Sequence, residues 1–494
     1  MAATNFMISF CLLLLASTIV FLSLSANQRD TVLRCVPLLR RRRNPAASTP
    51  PRSVTPEKRG LENSPPNFKD VFPPSRRGSL AAIPGNTSPT QKKLSISTIS
   101  LQERPSTIVP LASPIEDCIS PAFTATQFSI EEIKALGDFP NYAELSGVPL
   151  PKPYTEFVIE KALPRPYRPF RWTYHQTMSL TKMEPNWWLE LENTYVARIA
   201  QRKGYFQKHG KAVLQYLPGS ELACKELMEM CIQFLCARYP QYFSLDKENM
   251  VFKNSILKVE TRLKSMHPLE TLLNHVPEDF AITMRDPVDG LYYFRAGVIC
   301  SSLGWNVGTK IGLQLHEIHA PIPDYKEKMR FSMDRFFAKM PTDKPIQRGS
   351  WGLEVDQPLF MPPGDPHELH RLSQNPELRL SQCHLRVDWQ TLRRLPLSAA
   401  IVFNFKALFT PVSEFCGEPY IPSICLKILK EGKKNLMEYK NTWHVEHVVG
   451  PVLEEYEREQ IAEGLIGDGW TVNTLDESPW FPGWEEKWHR QQGF

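Results

Sequence analysis

The chain has 494 residues, 42% hydrophobic and 22% charged, which is ample for a buried core and for more than one domain. A formal charge of +5, with no dense basic face or reader motif, argues against a nucleic-acid partner. Ten cysteines with no Cys-x-x-Cys pair and no regular spacing argue against a zinc ribbon, a redox dithiol and a disulfide framework, and read as buried reduced thiols.

In chain order, Phe6 to Ala26 comes first, 21 residues without a charge. As a helix that run is about 31 Å long, close to the roughly 30 Å hydrocarbon core of a bilayer. Arg29, Arg34 and Arg40 to Arg43 follow it. Positive charge after a span holds the downstream chain in the cytosol. The expectation is a single transmembrane helix over 6–26, at the endoplasmic-reticulum surface with the body in the cytosol. A cleaved secretory signal ending near Ser25-Ala26 is the alternative, and glycosylation at Asn86 would report it. Residues 27–113, rich in Pro, Ser and Arg, hold too few spaced apolar side chains to offset ordering entropy and read as a disordered linker.

A folded domain is expected over 114–450, with a helical, aromatic cap over 451–494 that carries Trp470, Trp480, Trp484 and Trp488. It opens with a Pro-punctuated lead-in ending in Arg165-Pro-Tyr-Arg-Pro-Phe-Arg-Trp172. Apolar spacing at Trp188, Leu191, Tyr195 and Ile199 predicts a helix over 186–203. Ser220 caps a second predicted helix that ends before Pro240. Runs at 280–285 and 291–300 around Asp286-Pro-Val-Asp-Gly290 predict a hairpin. A helix is expected at 325–339, strands at 384–388 and 400–409, and a short helix at 389–395. The pattern is α+β.

Twelve histidines need sorting. Leu315-His-Glu-Ile-His319-Ala-Pro-Ile-Pro323 places two of them before a Pro-stiffened exit, as ordinary core or surface histidines or as the one imidazole that a haem iron needs. His367 and His370 form a second pair, without a facial two-His-one-carboxylate pattern. Arg348, in Gln347-Arg-Gly-Ser-Trp351, is either a surface ion-pair residue or, if buried, a fixed cationic donor. Arg393 and Arg394 fasten a helix to the sheet or grip carboxylates in their forks. Motifs of cytochromes P450, c-type haem attachment and nucleotide folds are missing.

Taken in order, Asp279-Phe-Ala-Ile-Thr-Met284, Cys300-Ser-Ser-Leu-Gly-Trp305, Lys310-Ile-Gly312, Ile318-His-Ala-Pro-Ile-Pro323, Arg348-Gly-Ser-Trp351 and Gln390-Thr-Leu-Arg-Arg-Leu-Pro396 resemble the haem-dependent oxidative N-demethylase alpha-subunit-like family. The likeness runs from about Phe170 to Val412. It implies a PAS-like α+β fold, with a mixed or antiparallel sheet flanked by helices, around haem b. It also implies oxidative demethylation of a small amine with oxygen, and electrons (NADPH, flavin, iron-sulfur) from a separate reductase partner. On that resemblance His319 is the iron ligand with His316 as fallback, Arg348 the catalytic oxygen-side donor, and Arg393 and Arg394 cofactor-binding. The sequence departs from the pattern at Ser398-Ala-Ala400 and Asp388-Trp389, which opens the substrate to larger molecules of specialised metabolism. A PAS-like haem or ligand sensor and a membrane-tethered scaffold are the rival readings.

Overall fold

Strands form where residues alternate between two faces of a sheet. In the computed structural model, which describes residues 71–81 and 124–493 apart from 125, 127, 176 and 468, these are β1 (Thr181–Lys182), β2 (Leu214–Tyr216), β3 (Phe243–Asp246), β4 (Val251–Asn254), β5 (Val259–Arg262), β6 (Asp279–Arg285), β7 (Tyr292–Val298), β8 (Ile346–Val355), β9 (Cys383–Arg394) and β10 (Ile401–Pro411). Among the described residues they build a seven-stranded sheet in the order β1-β8-β9-β10-β6-β7-β2 and a smaller β3-β4-β5 sheet. Every pairing of these strands is antiparallel. The domain is therefore α+β with a large antiparallel sheet flanked by helices, and the mixed alternative falls away.

Among the flanking helices are α1 (Tyr195–His209), α2 (Glu221–Arg238), α3 (Leu315–Ile318), α4 (Arg330–Lys339), α5 (Ile421–Glu431), α6 (Trp443–Ala462) and α7 (Trp484–Gln492). One sheet face packs Phe280, Ile282 and Val402 against Leu227, Cys231 and Leu235 of α2. Farther along that face Trp351, Val387 and Trp389 meet Ile424 and Ile428 of α5 and Val445 and Val449 of α6. The opposite face carries Leu392, Ile401, Phe403 and Phe405, roofed by Trp305, Leu315, Ile318, Tyr325 and Phe337.

Local turn chemistry sets the hairpin of β6 and β7: Asp286 Oδ1 accepts from Val288 N at 2.8 Å, and Gly290 takes a positive φ of 74°. The helix expected at 389–395 is instead part of β9. Both faces of this inner strand are covered, so its alternation does not show as apolar against polar. The helix expected from 186 begins only at Tyr195. Pro185–Trp187 forms one 3-10 turn, after which Glu190 N is held by Glu278 and Leu191 N by the Tyr239 hydroxyl, so the turn does not continue into a helix. The 325–339 helix opens with a π-helical turn, Tyr325–Met329, before α4. Ser220 does precede α2, but its hydroxyl donates to the Leu217 carbonyl instead of capping.

The single-pass membrane localisation is corrected: among the described residues no helix is long and apolar enough to cross a membrane. The 6–26 segment that motivated it lies outside the described residues, as does most of 27–113. Within that stretch Pro74–Ala81 is a short helix, and Arg77 forks onto Asp343 at 2.8 and 2.9 Å.

Candidate functional site

Cross-strand partners share a sheet face and strand neighbours take opposite faces. Register therefore sorts the candidate residues. Arg348 on β8 pairs with Gln390 on β9, which pairs with Phe405 on β10. This row, like Ile346–Leu392–Phe403, looks into the roofed face, where Trp305, Ile311 and Ile318 lie against Phe403 and Phe405.

The roof ends in His319. Helix α3 is a single turn opened by Glu317 Oε2, which accepts from Gln314 N at 2.7 Å, and closed by His319. His319 Nδ1 lies 2.6 Å from the Leu315 carbonyl. A carbonyl only accepts, so Nδ1 carries the proton and Nε2 the lone pair. Nε2 has no hydrogen-bond partner among the described residues. The ring stacks on Tyr325, with centroids 5.1 Å apart and planes 11° from parallel. Burial, with Lys310 and Arg348 adding to it, pushes the imidazole pKa down to about 4, so the ring is neutral at physiological pH. A neutral imidazole oriented through its other nitrogen is the state that ligates a metal. His316 sits half-buried within α3.

Arg348 has a buried Nε without a partner, and its guanidinium makes no hydrogen bond or ion pair among the described residues. Burial, with Arg171 nearby, holds its pKa below the ordinary arginine value. Arg348 is half-buried, and an unpaired nitrogen on the buried edge of its guanidinium costs the fold stability, so its retention points to a ligand. Two further cations join it. Lys440 Nζ lies 4.1 Å from the Trp351 ring centroid and donates to the Trp351 carbonyl. Burial, then Arg348, pushes its pKa down to about 7. Arg171 comes from a segment pressed so tightly on β8 that a Cβ at Gly349 would lie 2.9 Å from Pro169 Cβ. The nearby Asp388 carboxylate is already held by Arg386 at 2.9 and 3.1 Å. Such an excess of positive charge suits an anion.

The strand separates Arg393 from Arg394. Arg394 shares the roofed face, but its donors are committed to the carbonyls of Phe337, Met340 and Ala399 and to the Tyr292 hydroxyl, tying the end of α4 to the sheet. Arg393 points to the other face, 4.2 Å over the Trp188 ring, where burial pushes its pKa down to about 10. The two arginines expected to bind the cofactor therefore do not converge on one ligand: Arg394 is committed to the fold and Arg393 lies on the other face. Arg394→Met should lower stability by about 3 kcal/mol, because it orphans buried carbonyls. Chemical denaturation checks this; an unchanged midpoint would show that those bonds are idle.

The His367 and His370 rings lie 4.9 Å apart and tilted by 55°, and among the described residues no group of three His, Cys, Asp or Glu could hold a metal ion.

An α+β domain that roofs one sheet face over a free imidazole nitrogen and an unpaired guanidinium is built to hold a ligand. The family described as haem-dependent oxidative N-demethylase, alpha subunit-like, matches residues 179–450, more than half of the chain. The chain belongs to this family. The residues on the roofed face fit the group in the family's name. Phe403, Phe405 and Ile318 offer an apolar wall, His319 one neutral imidazole and Arg348 a cation for a carboxylate, with Arg171 and Lys440 close enough to Arg348 to act on its charge from segments packed at Gly349 and Trp351.

Proposed function

We propose that this protein is a haem-dependent monooxygenase that removes an N-methyl group oxidatively, or hydroxylates a related C–H bond, in a small molecule. The observation that carries the reading is the unpartnered Arg348 guanidinium on the same roofed face as the His319 imidazole, whose Nε2 is free. The strands β6 to β10, counted in chain order, lie 2-1-5-4-3 across the sheet, which supports a PAS-like domain around the cofactor.

Bound haem would supply oxygen activation and one-electron chemistry. The chain's own residues do the rest. His319 would hold the iron through Nε2, because the Leu315 carbonyl fixes the ring through Nδ1. Arg348 would offer N–H donors to negative charge developing on a bound oxidant, since no residue of the fold occupies them. Arg171 and Lys440, close to Arg348, would add to the positive charge that draws a carboxylate there. Phe403 and Phe405 exclude water from the N-methyl carbon. Once that carbon carries a hydroxyl, the C–N bond breaks to give formaldehyde and the demethylated amine. Electrons come from a separate reductase that uses NADPH through flavin and iron-sulfur groups.

The test is reconstitution with haem, then oxygen and a reductant with N-methyl amines while formaldehyde is measured. The expected result is a Soret band and substrate-dependent formaldehyde. Arg348→Leu should keep the band and lose about 10²- to 10³-fold in turnover, the range for removing one donor to developing charge. A protein that stays colourless with added haem overturns the reading.

A further inference from the structure

A line of aromatic rings leads away from the roofed site. Trp389 neighbours Gln390 on β9 and pairs with Gly349, so it lies on the back of the two strands whose front carries Gln390 and Arg348. Tyr167 stacks on Trp389 with centroids 3.8 Å apart and planes 19° from parallel. Trp480 follows Tyr167 at 4.5 Å, and Trp484 stacks on Trp480 at 4.2 Å and 14°. Aromatic pairs in proteins usually sit roughly 4.5–7 Å apart, so two of the three steps are closer than packing alone requires. Trp389 and Tyr167 are buried, whereas Trp480 and Trp484 keep exposed surface. Trp484 and Trp488 then border a surface cleft of about 370 Å³ together with Trp187, Arg165 and Arg238.

The second ring has somewhere to put a proton. Tyr167 Oη donates to Glu190 Oε2 at 3.0 Å and accepts from Arg165 Nη2 at 2.6 Å. Burial raises the phenol pKa far above its ordinary value, so proton loss on its own is disfavoured. Trp389 differs: its buried Nε1 has no partner, so this indole can pass charge on but has nothing to take its proton. Tyr167 and Trp480 both lie outside the family-matched stretch, and Trp389 inside it.

We propose that Trp389, Tyr167, Trp480 and Trp484 form a one-electron relay between the roofed site and the surface cleft, with Glu190 as the proton acceptor of Tyr167. The inference rests on the haem reading, which supplies the oxidant: the one-electron oxidant left at the haem when peroxide, or oxygen with a reductant, reacts without substrate. An electron leaves Tyr167 through Trp389 to that oxidant, and the Oη proton moves to Glu190, leaving a neutral tyrosyl radical. Trp480 and then Trp484 refill it, and Glu190 returns the proton. A one-electron reductant at the cleft, a thiol or the reductase's flavin, closes the balance. The relay clears oxidising equivalents before they attack the haem pocket.

The test uses the full chain loaded with haem, mixed with hydrogen peroxide without substrate and freeze-quenched for electron paramagnetic resonance. Peptide mass spectrometry then measures oxidation at Trp480 and Trp484. The wild type should show a tyrosyl signal and oxygen added to both tryptophans. Tyr167→Phe keeps the ring stack but not the proton-coupled step. It should cut the tyrosyl signal and the tryptophan oxidation about tenfold or more, since a one-electron step loses a factor of ten per roughly 59 mV of driving force. Trp389→Phe, a second gentle change, should cut both as well, and neither variant should alter haem absorbance. A red wild type without a protein radical, or radical and oxidation unchanged in both variants with haem in place, overturns the relay and leaves the haem reading standing. A colourless protein removes both.

Discussion

His319→Ala should purify without a Soret band and bind added haem at least about a hundredfold more weakly than the wild type. The argument starts from the hydrogen bond of Nδ1 to the Leu315 carbonyl, which fixes one tautomer and leaves Nε2 without a partner among the described residues. Partners that merely orient a ligating histidine are worth about 10- to 100-fold in metal affinity, so losing the ligand itself should cost no less. Added imidazole should restore the band, because the alanine leaves a ring-sized space beside Tyr325. His316→Ala should keep haem, since the sequence offers both histidines and the geometry singles out the later one. Full occupancy and an unchanged spectrum in the His319 variant would sink the assignment. Loss of haem only in the His316 variant would move the ligand by three residues.

The sequence is legible where local chemistry decides. Asp286 to Gly290 write their turn into five consecutive residues, and the Leu-His-Glu-Ile-His-Ala-Pro run brings His319 forward as a candidate by itself. It is illegible where both sides of an element are covered. β9 buries Trp389, Thr391 and Arg393 on one face and Leu392 and Arg394 on the other, so charge and apolarity no longer alternate and the stretch imitates a helix. That misreading carries another, because adjacent arginines on a strand must diverge. Arg171 and Lys440 escape notice because their meeting with Arg348 is purely tertiary. The only local hint is a lead-in that interleaves arginine with aromatic rings from Arg165 to Trp172, the same run that supplies Tyr167. The 185–194 stretch has helical spacing and begins with a 3-10 turn at Pro185–Trp187, yet Glu278 and Tyr239, distant in sequence, take the backbone donors of Glu190 and Leu191 and stop it there.

The second large effect is expected at Asp279, where stability and the site meet. Its carboxylate is almost wholly buried and accepts from Arg202 Nη1, from the Ser301 hydroxyl and, at 2.9 Å, from Cys300 N. One side chain thus joins α1, β6 and the residues that start the roof leading to His319. Arg202 is itself fully buried, and its Nε and Nη2 have no other partner. Asp279→Asn should therefore cost about 3–5 kcal/mol, because it strands a buried cation. For a domain of this size that is a fall on the order of 10 °C in Tm. The roof should loosen too, so residual folded protein should hold haem more weakly. The decisive comparison is the double variant Arg202→Met with Asp279→Asn. Breaking a buried pair is far costlier than replacing both partners, so the double variant should be more stable than Asp279→Asn alone, with a coupling of about 2 kcal/mol or more in the cycle. Losses that simply add in calorimetry would show that the two residues act separately, and that the roof is held by the backbone bond to Cys300 instead.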